Sequence, residues 1–432
     1  MFGPAVETAQ LAPAPHFLRT NRLTTTIALY WSIPLDAHTA SLFALLPHVL
    51  TASSARYPTT HILRQALADL YGATLTCGVM RKGAEQVLTI EMTVIDPMQI
   101  DSSEDLIGQG VSLLLELAFN PLVNDLGFDA DCVEKQRSAM GMRLNTKKTG
   151  LPAAVYRCAQ ATYGGAAWAI DPWGDAWHLA RVTGYDLYAE YLALLTRSGQ
   201  ALYVSGPTQP GTITDILNRA PAFQVDANSL SRRRVGAETH QESLSPMAAW
   251  PGVIDMVDES FERLSFFVLS FRSEAYLWNQ SYHAAQVANL ILGGNAHSML
   301  YKQLRQKQAL AYQIYSWLDP LTATGFVAAI IERADYERVK EAVFSRLESL
   351  RTGHITIADV TAAKHSFVRH LYEIQDDGSA YILHHWTGQR YECSTTPLEE
   401  VRMCRELDMG AVLEACSRFT PCVSYFSAGC DD

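Results

Sequence analysis

No uninterrupted apolar stretch in this chain approaches the roughly 20 residues that a membrane-spanning helix needs. That argues against a helical membrane protein. Basic charge is also scarce. Lys plus Arg number 34 against 45 Asp plus Glu, for a net charge of −11. The densest basic run, Arg232 to Arg234, is short and reads as part of a solvated linker. This balance excludes nucleic acid or an anionic membrane surface as the main partner. None of the eight cysteines (Cys77, Cys132, Cys158, Cys393, Cys404, Cys416, Cys422 and Cys430) forms a C-x-x-C pair. They read as buried or incidental thiols of a reducing compartment. No basic segment followed by an apolar run opens the chain, so a soluble, cytoplasmic protein without a secretory signal is expected. Two catalytic signatures are missing as well. There is no G-x-S-x-G nucleophile elbow, and Gly293-Gly294 lacks the Lys and Ser/Thr of a phosphate-binding loop.

What is present is a chain of 432 residues, too long for one ordinary domain, with 48% apolar residues to fill two cores. Residues 1 to about 20 are Ala/Pro-rich and read as a loose lead-in. Ile27, Leu29, Trp31 and Ile33 alternate with small or polar residues, the mark of a half-buried strand. A helix to about Ala52 and another from His61 to Tyr71, ended by Gly72, precede a hairpin. Its strands are Ala73 to Met80 and Val87 to Val94 around a Lys82-Gly83 turn. Helices at about 103–119, 128–145 and 174–197 and a strand at Ala201 to Ser205 complete a first half. Periodicity fades from 221 to 250, an expected linker between domains at 1–220 and 251–432.

The second half repeats the first. Strand Leu264 to Phe271, helices at 277–292 and 298–308, and a hairpin of Ile314 to Leu318 with Phe326 to Ile331 follow in the same order. The tripeptide Leu-Arg-Gln occurs at 63–65 and again at 304–306, each time just ahead of its hairpin. Helices at about 335–352, 356–372 and 377–390 and a strand near Cys422 to Ser427 end the chain, with Gly353 as a C-terminal cap. A period this long marks a duplicated domain, not a solenoid. The fold class is α+β: two similar halves, each an antiparallel-containing sheet with helices on one face.

The stretch Leu292 to Glu332 is chemically the most pointed. Gly293 and Gly294 can take backbone angles other residues avoid, and Asn295 follows them. Arg305 and Tyr312 stand seven residues apart beside that loop, one guanidinium and one phenol that could grip a peptide backbone. The run G-G-N-A-H-S-M-L-Y-K-Q-L-R-Q-K-Q-A-L-A-Y resembles the second-half signature of pitrilysin-type zinc peptidases, a family that includes enzymes like the mitochondrial processing peptidase. The resemblance runs from about Phe17 to Ser427. It implies two α+β halves closing like a clamshell. It also implies that Arg305 and Tyr312 bind and polarise a substrate peptide, with Gly293, Gly294 and Asn295 along the binding loop.

The same resemblance implies a zinc site in the first half, and here the letters fail. Active relatives carry H-x-x-E-H on the first helix, two His for the metal and a Glu as general base. This helix reads S-L-F-A-L-L-P-H-V-L, placing Ala44, Pro47 and His48 at those positions. No acidic residue occurs between Asp36 and Asp69, so no shift of register helps. The further Glu pair of relatives matches Glu134 but then Gly141, and no Asp or Glu occurs from Lys135 to Ile170. One imidazole cannot replace three ligands, and no metal or other cofactor is expected in this chain. The blocks L-L-P-H-V-L, Y-P-T-T and L-x-x-L-Y-G-A look closest to a bacterial branch without the zinc motif. Such members are usually encoded beside a zinc-bearing paralogue, with roles in leader-peptide removal or modification of an elongation factor. The resemblance therefore implies a zinc-free subunit whose partners are a zinc-bearing paralogous subunit and a peptide. A purely structural or peptide-binding subunit is the alternative it leaves open.

Overall fold

The computed structural model describes residues 15–100, 104–197, 199–207 and 252–430. The linker expected at 221–250 and the run Arg232 to Arg234 lie outside them. The chain forms two compact units. One takes the described residues of Met1–Leu144, Ile170–Thr239 and Asp376–His384; the other takes those of Asn145–Ala169, His240–Gln375 and His385–Asp432. The division at 220 and 251 thus misses two exchanged segments, 145–169 and 376–384, whose reason lies in the sheets.

In the first unit the strands are β1 Pro15–Arg19, β2 Thr24–Pro34, β3 Thr74–Lys82 and β4 Glu85–Ile95, a two-residue pair β5 Val123–Asn124 and β6 Gly127–Phe128, and β7 Gly199–Gly206. The helices are α1 Ala40–Leu50, α2 Thr60–Asp69, α3 Leu106–Phe119, α4 Ala130–Lys147, α6 Ala176–Leu179 and α7 Gly184–Arg197. Five strands form a sheet in the order β1-β7-β2-β4-β3, antiparallel except for β1 beside β7. Ile27, Leu29, Trp31 and Ile33 on β2 enter one core with Leu45, Leu46 and Val49 of α1 and Leu113 and Leu114 of α3.

The second unit repeats this plan. Its strands are β8 Ile254–Glu259, β9 Ser265–Arg272, β10 Gln313–Asp319, β11 Thr324–Ile331 and β12 Thr420–Ala428, ordered β10-β11-β9-β12-β8. Read from the other edge, each strand stands where its first-half counterpart does, and β12 beside β8 is again parallel. The helices are α5 Gly150–Tyr163, α8 Tyr282–Asn289, α9 Tyr336–Arg351, α10 Ile357–Asp376, the later part of α11 Gly378–Arg390, α12 Pro397–Glu406 and α13 Met409–Ser417. Phe267, Leu269 and Phe271 share a core with Ala285, Val339, Val343 and Val412.

Helices on one face only is a reading the structure corrects. The even-numbered face of β9 is buried too, beneath α5: Thr162 Oγ1 donates to Ser270 Oγ at 2.7 Å, and Cys158 Sγ lies 3.8 Å from the Val423 carbonyl. In the first unit the segment Asp376–His384 does the same. A Cβ on Gly378 would stand 2.0 Å from Thr26 Oγ1, so only glycine allows that approach. Accordingly β2 is buried along nearly its whole length and on both faces, not half-buried. Alternating residues on these second faces are Thr26, Ala28, Tyr30 and Ser32, which are small or carry a polar tip.

Other boundaries shift for local reasons. The lead-in holds β1. The helix expected at 174–197 breaks between Leu179 and Gly184. The helix α12, not foreseen, had its signal in the sequence: Thr396 and Glu399 form a reciprocal capping box around Pro397.

Candidate functional site

The stretch around Arg305 folds with an unusual backbone. The segments Leu290–Gly294 and Tyr301–Lys307 are π-helical turns, and the Gln308 N–H donates to the Gln303 carbonyl, five residues back, at 3.0 Å. Such turns recur at functional sites because the extra residue re-aims neighbouring side chains. Gly293 and Gly294 do not use positive φ, contrary to the sequence reading. Their role is close approach. A Cβ on Gly293 would meet Ser316 Oγ at 2.7 Å, and one on Gly294 would meet Leu290 Cδ2 at 2.9 Å. Behind them Ser316 Oγ donates to Asn289 Oδ1 at 2.7 Å, a buried polar pair that locks β10 to the end of α8. Asn295 Oδ1 accepts from the His297 N–H at 2.8 Å, and its Nδ2 lies 3.4 Å from Ser366 Oγ.

Arg305 is exposed, with its guanidinium 5.4 Å from the ring centre of Tyr301. Tyr312 precedes β10 and is 57% exposed, and its phenol donates to Glu332 Oε1 just past β11. That carboxylate, by hydrogen bond and by charge, holds the phenol above the ordinary tyrosine range, while Arg263 opposes it. Arg305 and Tyr312 thus reach solvent from one unit, through different neighbours. Sequence reasoning missed Glu332, although the hairpin register that pairs Gln313 with Ile330 brings 312 and 332 together.

The degenerate zinc position is packed differently. Ala44 is fully buried, and Pro47 sits inside α1, where it cannot donate to the preceding turn. His48 Nδ1 lies 3.3 Å from Cys77 Sγ on the edge strand β3, and Cys77 lies 3.2 Å from Thr51 Oγ1, which donates to the Pro47 carbonyl. The rings of His48 and Trp173 are 5.8 Å apart, and the guanidinium of Arg143, on α4, is 5.9 Å from Trp173. Gly141, where relatives have a Glu, has open space at its Cβ position. Burial first, and Arg143 second, lower the His48 pKa to about 4, while burial raises the Cys77 thiol. These residues do not fit zinc: one imidazole supplies at most one ligand where an open zinc site needs three, and a guanidinium opposes a dication. Among the described residues no three His, Cys, Asp or Glu side chains are grouped to hold a metal. Also among them, no helix is long and apolar enough to cross a membrane.

The His48 shift has a measurable consequence. The unfolded imidazole takes a proton near pH 6.5, which the folded one refuses until about pH 4. Its contribution to stability is therefore full above the unfolded value and is lost as pH falls through this window. His48→Gln is expected to flatten the pH dependence of the unfolding midpoint between about pH 6.5 and 4. An unchanged slope would show that His48 does not carry this dependence.

Comparison with known proteins agrees with the sequence reading. Residues 253–367 match the family described as Peptidase M16 inactive domain. The probable inactive metalloprotease YmfF of Bacillus subtilis (strain 168) is 22% identical over 356 residues, covering 81% of this chain and 80% of that protein. The crystal structure of a conserved protein from Enterococcus faecalis V583 superposes with a TM-score of 0.83 at 20% identity, over 97% of this chain and 96% of the other. That of a peptidase M16 inactive domain from Pseudomonas fluorescens gives 0.72 at 17% identity, over 96% of each. The likeness to zinc peptidases read from the residues stands. The chain is thus similar to M16 metalloprotease-like proteins described as inactive, and its own first helix lacks the zinc motif.

Proposed function

We propose that this protein is the zinc-free subunit of a two-chain zinc peptidase. Arg305, Tyr312 and the loop Gly293, Gly294 and Asn295 bind the peptide, and a zinc-bearing paralogue supplies metal and base. The observation that carries this reading is the asymmetry between the two halves. The metal position has been refilled with Ala44, Pro47 and Arg143, whereas Arg305 and Tyr312 remain exposed on a π-turn and a strand start. A scaffold has no use for a solvent-facing guanidinium and phenol kept in this arrangement. Leader-peptide removal is the class of reaction that the sequence resemblance suggests.

Co-expression with the zinc-bearing paralogue is expected to give a complex stable through size-exclusion chromatography. Its interface should bury more than roughly 2,000 Å² in total, as obligate pairs do. A chain that stays monomeric beside that paralogue would defeat the proposal. The second reading, a non-catalytic peptide-binding or structural subunit, is favoured by one observation: the Tyr312 hydroxyl is already donated within the chain. Kinetics of Tyr312 variants separate the two readings.

A further inference from the structure

The donor that Tyr312 needs for substrate is committed elsewhere. A phenol has a single proton to give, and this one goes to the carboxylate of Glu332. A carboxylate is a stronger acceptor than a neutral peptide carbonyl, so an arriving substrate has to compete for that proton. Both groups are exposed and belong to the two ends of one hairpin. The other charged groups acting on the phenol are Arg263, in the turn between β8 and β9, and Asp335. The Glu332 backbone carbonyl accepts from the Asp335 N–H, and among the described residues the Tyr312 phenol is the hydrogen-bond donor to its carboxylate.

We infer that Glu332 is a mask on Tyr312: it holds the phenol proton in the resting chain and yields it only when substrate is seated. Glu332 is thus a positioning residue that acts through Tyr312 and sets how readily a peptide is bound. This inference rests on the function proposed above.

Two measurements test it separately. The first uses the full chain alone and needs no activity. With tyrosines labelled at Cζ, the Tyr312 signal is assigned by its loss in Tyr312→Phe and followed against pH. In Glu332→Gln the midpoint should fall back toward an ordinary tyrosine, about 10. Equal midpoints in wild type and variant would overturn the mask. The second uses the assembled two-chain enzyme and a model leader peptide. Glu332→Gln should raise kcat/KM about two- to tenfold, chiefly through KM, as expected for removing an exposed competing bond. The double variant with Tyr312→Phe should show none of that gain. A gain that survives in the double variant, or no gain while Tyr312→Phe is impaired, would overturn the inference. If Tyr312→Phe itself is fully active, it is the proposed function that fails, and the titration shows whether the contact exists regardless. Glu332 is exposed, so folding of the variant is not at issue.

Discussion

Tyr312→Phe is expected to lower kcat of the assembled two-chain enzyme by about 10²–10³, the usual cost of losing one donor to a developing oxyanion. Peptide hydrolysis at zinc passes through a tetrahedral intermediate whose former carbonyl oxygen turns negative. In the function proposed above, zinc held by the partner would take part of that charge, and the phenol O–H of Tyr312 would take more. The ring stays in phenylalanine and only the proton is lost, so the effect belongs in kcat. Arg305→Ala should act differently. A guanidinium that holds a neighbouring carbonyl by a charge-assisted bond contributes to binding, so kcat/KM falls with a rise in KM. The measurement is steady-state kinetics on the reconstituted complex, with assembly and zinc content checked for each variant. Full activity in both would leave Arg305 and Tyr312 without a catalytic role and favour the scaffold reading.

His283→Ala is expected to cost about 1–3 kcal/mol of stability in the second unit, the range for taking one close neighbour from a buried polar group. His283 Nε2 on α8 lies 3.3 Å from Glu400 Oε2 on α12, with the side chains 14% and 6% exposed. The approach is close but not in line for a hydrogen bond, because Nε2 finds no acceptor in good geometry. Thr395 Oγ1 donates to the other carboxylate oxygen at 2.9 Å. The site is dry enough that burial, with Glu400 adding to it, pushes the Cys393 thiol up to about 11. Without the imidazole the buried Glu400 carboxylate loses one of its close polar neighbours. Replacing both residues by leucine-sized apolar side chains should recover most of the loss, since a well-packed apolar pair can stand in for a buried polar one. Urea unfolding of the single and double variants decides. A shift of under about 1 kcal/mol in His283→Ala would mean that water reaches Glu400.

Much of this fold is legible in the letters where one face is apolar and the other wet. The hairpin Ile314 to Leu318 with Phe326 to Ile331 reads correctly because Gly325 and its neighbours break two clear runs. Gly325 itself lies inside β11, where a Cβ would stand 2.2 Å from Phe271, so packing and not turn chemistry demands that glycine. The repeat announced by the two Leu-Arg-Gln triplets is real: each stands on the segment leading into the edge strand of its sheet, α2 before β3 and the π-turn before β10. The helix α5 was not legible. Its buried positions are Leu151, Ala154, Cys158, Thr162 and Tyr163, and the middle three are small or polar where they meet a sheet face of Ser270 and Val268. A hydrophobic stripe search looks for large apolar residues and passes such a helix by. β8 was missed for a related reason. It is an edge strand whose Asp255 and Glu259 reach out to Lys340 and Arg333, charges that blunt an open edge and hide the strand pattern. At the candidate site, residue identities were legible, but the use of glycine for closeness instead of turning was not, since one letter serves both.

The segment Asp376–His384 covers the first sheet, yet it is made long after that sheet's last strand, β7, ends at Gly206. During synthesis the first sheet therefore emerges without the segment that later packs on Thr26 and lies near Tyr30. It waits for most of the second half to leave the ribosome. Segments usually fold in the order they are made, but here the early half is finished by a late one. A nascent chain arrested near residue 300 should thus be more open to protease than the same residues in the finished protein. Cutting the gene between the two repeats would not give two self-sufficient proteins.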